Sequence, residues 1–262
     1  MNKELRKKIV EMVHEGRDGH IPSAFSIIDI IHYLYENVLN YNNKKPDWDK
    51  RDYFILSKGH GCLSLYVVLA KFGILKKKEL SLFCKPTGIL GEHPDATKVP
   101  GVEASTGSLG HGLSYSVGIA KGLKLQNKKN RVIVLDGDGE CHEGTVWEAA
   151  NIARNHNLNN LSVIVDFNLS GAQLLPYDKM KNKWKAFGWD AYEFDGHDEK
   201  LFRKYINRKR IFNQKKPTVF ILNTIKGKGT KATEGHGKWH HKIPNKDEVN
   251  MLKNQIELYE YN

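Results

Sequence analysis

The chain has 262 residues, is 40% hydrophobic and 10% aromatic, and carries a formal net charge of +11. That length fits one large or two small globular domains, and no apolar run approaches the ~20 residues of a membrane-spanning helix. The positive charge is dispersed (Lys44-Lys45, Lys76-Lys78, Lys128-Lys129, Lys215-Lys216) and often interleaved with Asn, with no helix-turn-helix or RNA-reading aromatic motif, so it reads as a solvated surface and not a nucleic-acid face.

The opening Met-Asn-Lys-Glu-Leu-Arg-Lys-Lys lacks the apolar core of a signal peptide. A first helix is predicted from Lys3 to His14, ending at Gly16. A second runs from about Ser23 to Asn37 through Ile27, Ile30, Ile31 and Leu34, with Ser26 and Asp29 spaced as a capping box. Tyr53 to Leu56 reads as a strand, followed by a glycine turn and a helix from Leu63 to Phe72. Cys84 to Ser108, dense in glycine and proline, is expected to stay irregular. Gly110 to Leu125 reads as a helix whose Gly112, Gly118 and Gly122 would allow close packing.

Arg131 to Val134 and Leu161 to Val165 are short β-branched runs that end in Asp136-Gly137-Asp138-Gly139-Glu140 and Asp166-Phe167-Asn168. Between them, Glu143 to Asn157 has helical spacing, with Val146, Ala149, Ala150 and Ala153 on one stripe. Such a βαβ crossover makes the strands parallel and puts their carboxyl ends on one side. As neighbours about 4.8 Å apart, they would let Asp138 and Asn168 share one hard cation bound at roughly 2.1 Å per ligand. One carboxylate and one amide leave a divalent ion partly unneutralised, which invites a phosphate-bearing ligand. After this unit come a loop with a short helix (Leu169 to Phe187), a strand (Asp190 to Phe194), a helix (Glu199 to Phe212), a buried strand (Thr218 to Leu222) and a terminal helix (Asn245 to Tyr259). Alternating strands and helices predict one doubly wound, mostly parallel α/β domain over residues 1–262, with helices on both faces of its sheet.

Glycines beside Asp138 let backbone amides approach a phosphate, and the following helix presents free N–H groups. Several of the twelve histidines stand in glycine- or proline-rich turns: His20, His60, His93 and the pair His240-His241. Imidazoles on loops at strand ends can donate to phosphate or sugar hydroxyls and shuttle protons near neutrality. His14, His32 and His156 fall in helices and read as structural, and His111 and His142 stay undecided. Ser105 to Gly112 reads either as a glycine-rich helix cap or as a backbone shelf for a flat ring, with Leu109 its apolar contact. Glu143 and Glu148 open the crossover helix, where Glu143 also complements the helix dipole. Cys62, Cys84 and Cys141 lack metal-type spacing and point to reduced thiols in a cytoplasmic setting.

Together these motifs resemble the thiamine-diphosphate-binding half of transketolases. Gly137-Asp138-Gly139 with Asn168 stands for that family's diphosphate motif, and the resemblance runs from about residue 5 to 244. It takes in the His20 turn, Ser57-Lys58-Gly59-His60, Glu92-His93-Pro94, Thr106 to Gly112, Glu143 to Ala149, Asp195 to Asp198 and the segment from Lys226 to His240. It implies that Asp138, Asn168 and the Ser170 carbonyl hold Mg2+ or Ca2+ against thiamine diphosphate. His60, His240 and the Gly139 amide would meet the diphosphate, with Glu140 in the same motif, and Gly107, Ser108 and Leu109 would meet the aminopyrimidine. His20, His93 and His240 would manage protons on the sugar, while Glu143 and Glu148 match positions at the subunit interface near the pyrimidine.

Three positions depart from the family pattern. Phe167 replaces a polar residue and is expected to pack inward; His241 replaces a glycine and could narrow the donor channel; Ser23-Ala24-Phe25 is bulkier than usual after the His20 turn. The family's cofactor-activating glutamate belongs to a separate pyrimidine-binding domain, which these residues do not match. The resemblance therefore implies an N-terminal subunit of a split transketolase, transferring a two-carbon ketol unit between sugars or sugar phosphates. It would act with a C-terminal subunit and form a homodimer within an α2β2 assembly. A 1-deoxyxylulose-phosphate-type synthase half, a synthase for a specialised or surface-polysaccharide sugar, and a non-catalytic cofactor-binding scaffold are the alternatives.

Overall fold

The computed structural model describes residues 2–176 and 179–260. Helix α1 (Lys3–Gly16) is capped by the Asn2 side chain, which accepts from the Leu5 amide, and buries Ile9, Val10, Met12 and Val13 along one stripe. Helix α2 (Ile21–Asn37) begins two residues before the predicted Ser23, because Pro22 is pre-organised for a first helical turn. The expected Ser26/Asp29 capping box does not form. Both side chains are spent on other elements: Ser26 donates to Asp166, and Asp29 takes the Arg6 guanidinium at 2.8 Å.

Strand β1 (Tyr53–Leu56), helix α3 (Cys62–Lys71) and helix α4 (His111–Leu125) follow, with the stretch from Cys84 to Ser108 free of α-helix and strand as expected. Gly112 does allow close packing, since a Cβ there would fall 2.3 Å from the Ser57 hydroxyl. Gly118 and Gly122 do not, because they have open space where a Cβ would stand. Strand β2 (Val132–Gly137), helix α5 (Gly144–Asn155) and strand β3 (Leu161–Phe167) form the anticipated crossover. Then come α6 (Met180–Ala186), β4 (Asp190–Asp195), α7 (Glu199–Tyr205), α8 (Arg208–Phe212), β5 (Thr218–Asn223) and α9 (Lys246–Leu258). The single helix predicted over Glu199 to Phe212 is two, because Ile206 leaves helical geometry and Asn207 starts afresh by capping the Arg210 amide. On α9, Asn245 and Glu248 form a complete capping box.

Among the described residues the sheet has five strands, all parallel, in the order β1-β2-β3-β5-β4. Alternate side chains of the sheet feed two cores. Phe54, Leu56, Ile133, Leu135, Ile164, Phe220 and Leu222 pack with α1, α2, α3 and α9 on one face. Ile55, Val132, Val134, Val163, Val165, Val219 and Ile221 pack with α4, α5 and α6 on the other. The sheet is therefore doubly wound, and ligands of such sheets bind beyond the carboxyl ends of the strands. Among the described residues no helix is long and apolar enough to cross a membrane.

Candidate active site at the strand carboxyl ends

Gly137 of β2 pairs in register with Asp166 of β3, and the Asp138 amide donates to the Asp166 carbonyl at 3.1 Å. This pairing brings the two motif segments side by side. Asp138 is 2% exposed; its oxygens accept from the Gly139 amide at 2.9 Å and from the Gly171 amide at 3.1 Å. Burial raises its carboxyl above the ordinary range, and the amide of Gly171 works against that shift. Asn168 donates from Nδ2 to Asp166 at 2.8 Å, which fixes its Oδ1 as the acceptor; that oxygen takes the Ser170 amide at 3.0 Å. The Ser170 hydroxyl is shut off from solvent without a hydrogen-bond partner, and its carbonyl accepts from Gln173 at 3.3 Å, keeping a second lone pair. An all-oxygen set with a buried carboxylate fits a hard cation such as Mg2+ or Ca2+.

Beneath this pair lies a polar floor. The Lys58 ammonium meets Asp166 at 2.6 Å, and both side chains are 2% exposed. Asp166 also accepts from Ser26, Asn168 and Thr224. Burial alone would raise this carboxyl, but Lys58 pulls it below its ordinary range. Glu140 is turned inward: Oε1 accepts from Ser57 at 2.6 Å and the Gly110 amide at 2.9 Å, and Oε2 from the Gly137 amide at 2.9 Å. Its carboxylate thus ties the end of β1, the Asp138 turn and the start of α4 together. A residue expected at the cofactor is committed instead to holding the loops around it.

The Thr106 to Gly110 loop lies against the turn after β1, because Thr106 donates to the Leu56 carbonyl at 2.6 Å. Two glycines make this approach possible. A Cβ on Gly59 would sit 2.6 Å from the Thr106 carbonyl, and one on Gly107, at φ +149°, 2.6 Å from the His93 ring. His93 is therefore held beside Gly107, while Ser108 and Leu109 stay exposed, Leu109 at 37%. Glu143 caps the start of α5 with its side chain exposed, and its Cβ crowds the space beside Gly110. Glu148 is exposed on the same helix.

Four of the predicted loop histidines gather in one cluster. The His20 ring centroid lies 5.6 Å from both His60 and His240, and 4.5 Å from His241. Burial lowers His20, His60 and His240, His60 most of all, so these imidazoles favour their neutral forms. His20 Nδ1 faces the His240 carbonyl at 3.1 Å, and Lys226 Nζ stands 3.0 Å from His240 Nδ1. The lysine donor leaves His240 with its proton on Nε2, which is then a hydrogen-bond donor. The segment carrying Lys226 is anchored by the Gly227 amide on Pro22 and by Arg6 on the Lys228 carbonyl.

His14 bonds the Pro244 carbonyl, His32 packs on Phe72 and His156 meets Lys121, outside the cluster as expected. Phe167 packs on the α4/α5 side of the sheet, and Phe25 is fully buried against Arg6, committed to the core. Sequence reasoning missed the buried Lys58–Asp166 pair, Lys226 and Glu92. The available signal was a charged residue closing an otherwise apolar strand and lysines beside motif glycines.

Residues 1–261 match the family model described as transketolase, thiamine diphosphate binding domain. The chain is 37% identical over 257 residues to an apulose-4-phosphate transketolase subunit of Phocaeicola vulgatus, covering 96% of this chain and 90% of that one. It is 35% identical to a 6-deoxy-6-sulfo-D-fructose transketolase subunit of a Clostridium species, covering 88% and 86%. The crystal structure of transketolase from Campylobacter jejuni superposes with a TM-score of 0.88 at 29% identity, over 97% of this chain. This chain spans 41% of that protein's length.

Proposed function

This chain belongs to the transketolase family, in its thiamine diphosphate binding domain, and on that premise we propose that it is the cofactor-binding subunit of a two-chain cytoplasmic transketolase. It would transfer a two-carbon ketol unit from a ketose to an aldose. The observation that carries the reading is the pairing of Gly137 with Asp166, which sets Asp138 and Asn168 at adjacent strand ends above a closed polar floor. Two relatives of nearly the same length are named as subunits, one for apulose-4-phosphate and one for 6-deoxy-6-sulfo-D-fructose, which supports a separate partner and a sugar or sugar-phosphate substrate.

When bound, thiamine diphosphate supplies the carbanion chemistry that amino acids lack. In this reading Asp138, Asn168 and the Ser170 carbonyl hold Mg2+ or Ca2+ against the diphosphate. His60, His240 and the Gly139 amide donate to its oxygens, and Gly107, Ser108 and Leu109 form the shelf for the pyrimidine ring. Glu140 positions this machinery by tying its loops, while His20, His93 and His240 hold and release protons at the sugar hydroxyls. Glu143 and Glu148 lie on the exposed α4/α5 face with Tyr115, 62% exposed, and Ile152, 45% exposed. That face suits the homodimer contact of an α2β2 assembly. The pyrimidine-activating carboxylate comes from the partner subunit.

The test is reconstitution. With thiamine diphosphate, Mg2+ and sugar phosphates, the chain alone turns over negligibly, and a pyrimidine-binding partner subunit restores ketol transfer. Absence of transfer from any tested donor in the reconstituted pair would leave the binding of cofactor without its proposed use and defeat the reading.

A further inference from the structure

His20, Glu92 and His241 stand at the mouth of the site on three separate segments. His20 Nε2 is 3.3 Å from Glu92 Oε1, His241 Nε2 is 3.5 Å from the same oxygen, and His241 Nε2 is 3.2 Å from Asp18 Oδ1. One ligand atom from each of His20, Glu92 and His241 lies within 4.8 Å of the other two. We propose that this cluster binds a divalent d-block cation of the zinc class, separate from the hard-cation position at Asp138 and Asn168.

The hydrogen bonding argues for it. His20 Nδ1 faces a carbonyl oxygen, the His240 carbonyl, which only a protonated Nδ1 can meet. A neutral His20 therefore aims the lone pair of Nε2 at the Glu92 carboxylate, and a cation between them removes the repulsion. His241 aims a second ring nitrogen at the same oxygen, with Asp18 as a further donor. A carbonyl on the far ring nitrogen is the usual orienting partner of a metal-bound histidine. Asp18 is held in turn, because its Oδ1 accepts from the Gly19 amide at 2.7 Å.

The donor chemistry separates the two cation positions. Two imidazoles with carboxylates suit zinc and its neighbours, whereas an all-oxygen set suits magnesium and calcium. Tetrahedral zinc with bonds of about 2.0–2.1 Å sets its ligands roughly 3.3 Å apart, close to the two His–Glu92 spacings already present. A bound ion would lock the His20 ring and withhold it from the sugar. Inhibition of ketol transfer follows, and that consequence rests on the proposed function; the binding does not.

The experiment titrates metal-stripped chain with zinc chloride by calorimetry, with excess Mg2+ present, and repeats it with Co2+ read by visible absorbance. One equivalent binds to the wild type, with the intense visible bands of four-coordinate cobalt. His241→Gly, at a half-exposed position, and Glu92→Gln each weaken binding by about tenfold or more and lose those bands. His236→Ala, at an exposed histidine, and Cys84→Ser bind as the wild type does. Equal affinity in His241→Gly and Glu92→Gln, loss of affinity in Cys84→Ser, or no stoichiometric binding by the wild type would overturn the site and leave a proton-mediated His–Glu pair. None of these outcomes bears on ketol transfer, which is assayed separately in zinc-free, partner-reconstituted enzyme supplied with thiamine diphosphate and Mg2+.

Discussion

At the floor of the site, Lys58, Asp166, Ser26 and Thr224 satisfy one another in a pocket where the two charged side chains are 2% exposed. At the mouth, His20, Glu92 and His241 are 16%, 31% and 48% exposed and direct ring nitrogens and carboxylate oxygens toward each other. The floor spends its polar groups on the protein, and the mouth keeps them for ligands. Stability and function are thereby separated along one axis of the site. A lesion below should unfold the chain, whereas a lesion above should leave it folded and disarmed.

The largest effect is expected from breaking the floor. Lys58→Met leaves Asp166 as a buried charge without its cation and should cost about 3–5 kcal/mol of stability, measured by urea unfolding. A cost below about 1 kcal/mol would show that the pair is not a strut. Glu140→Gln replaces an acceptor by an amide that turns a donor toward backbone N–H groups, and about 1–3 kcal/mol is expected on the same assay. His20→Ala belongs to the mouth: stability should move by no more than about 1 kcal/mol, while ketol transfer in the reconstituted enzyme collapses. A large loss of stability there would erase the division between floor and mouth.

Asp29 and Arg6, a pair between α1 and α2 in which the arginine is fully buried and the carboxylate partly exposed, provide a smaller test away from the site. Burial would raise the Asp29 carboxyl, but the Arg6 guanidinium holds it below its ordinary value of 3.8. A lowered carboxyl contributes stability that is present above the unfolded pKa and lost as pH falls through the folded one. The wild type should therefore be the more stable at neutral pH, and the gap to Asp29→Asn should close in acid. A gap independent of pH would mean that Asp29 acts by packing alone.

Much of the fold is legible in the amino-acid order. Periodicity locates the strands, and the endings Gly137-Asp138-Gly139 and Asp166-Phe167-Asn168 are foreseen side by side because parallel neighbours put their ends together. The floor is not legible, because Lys58 and Asp166 are 108 residues apart in sequence and meet only through the sheet order. Ser26 and Asp29 mislead for the opposite reason: their local spacing is right for a cap, but partners on β3 and α1 claim them. Glu140 stands out as a motif residue, yet its inward turn depends on Ser57 and Gly110, which no local pattern connects to it.

Asp138 is central because it would anchor a cofactor whose chemistry is completed by another subunit. The most direct measurement is ketol transfer by the purified chain, by the chain with its partner subunit, and by Asp138→Ala with that partner, all with thiamine diphosphate and Mg2+. The expected results are negligible turnover, restored turnover and loss of turnover, in that order, with calorimetry showing metal-dependent cofactor binding abolished in Asp138→Ala. Substantial turnover by the chain alone, or unchanged cofactor affinity in Asp138→Ala, would contradict that role.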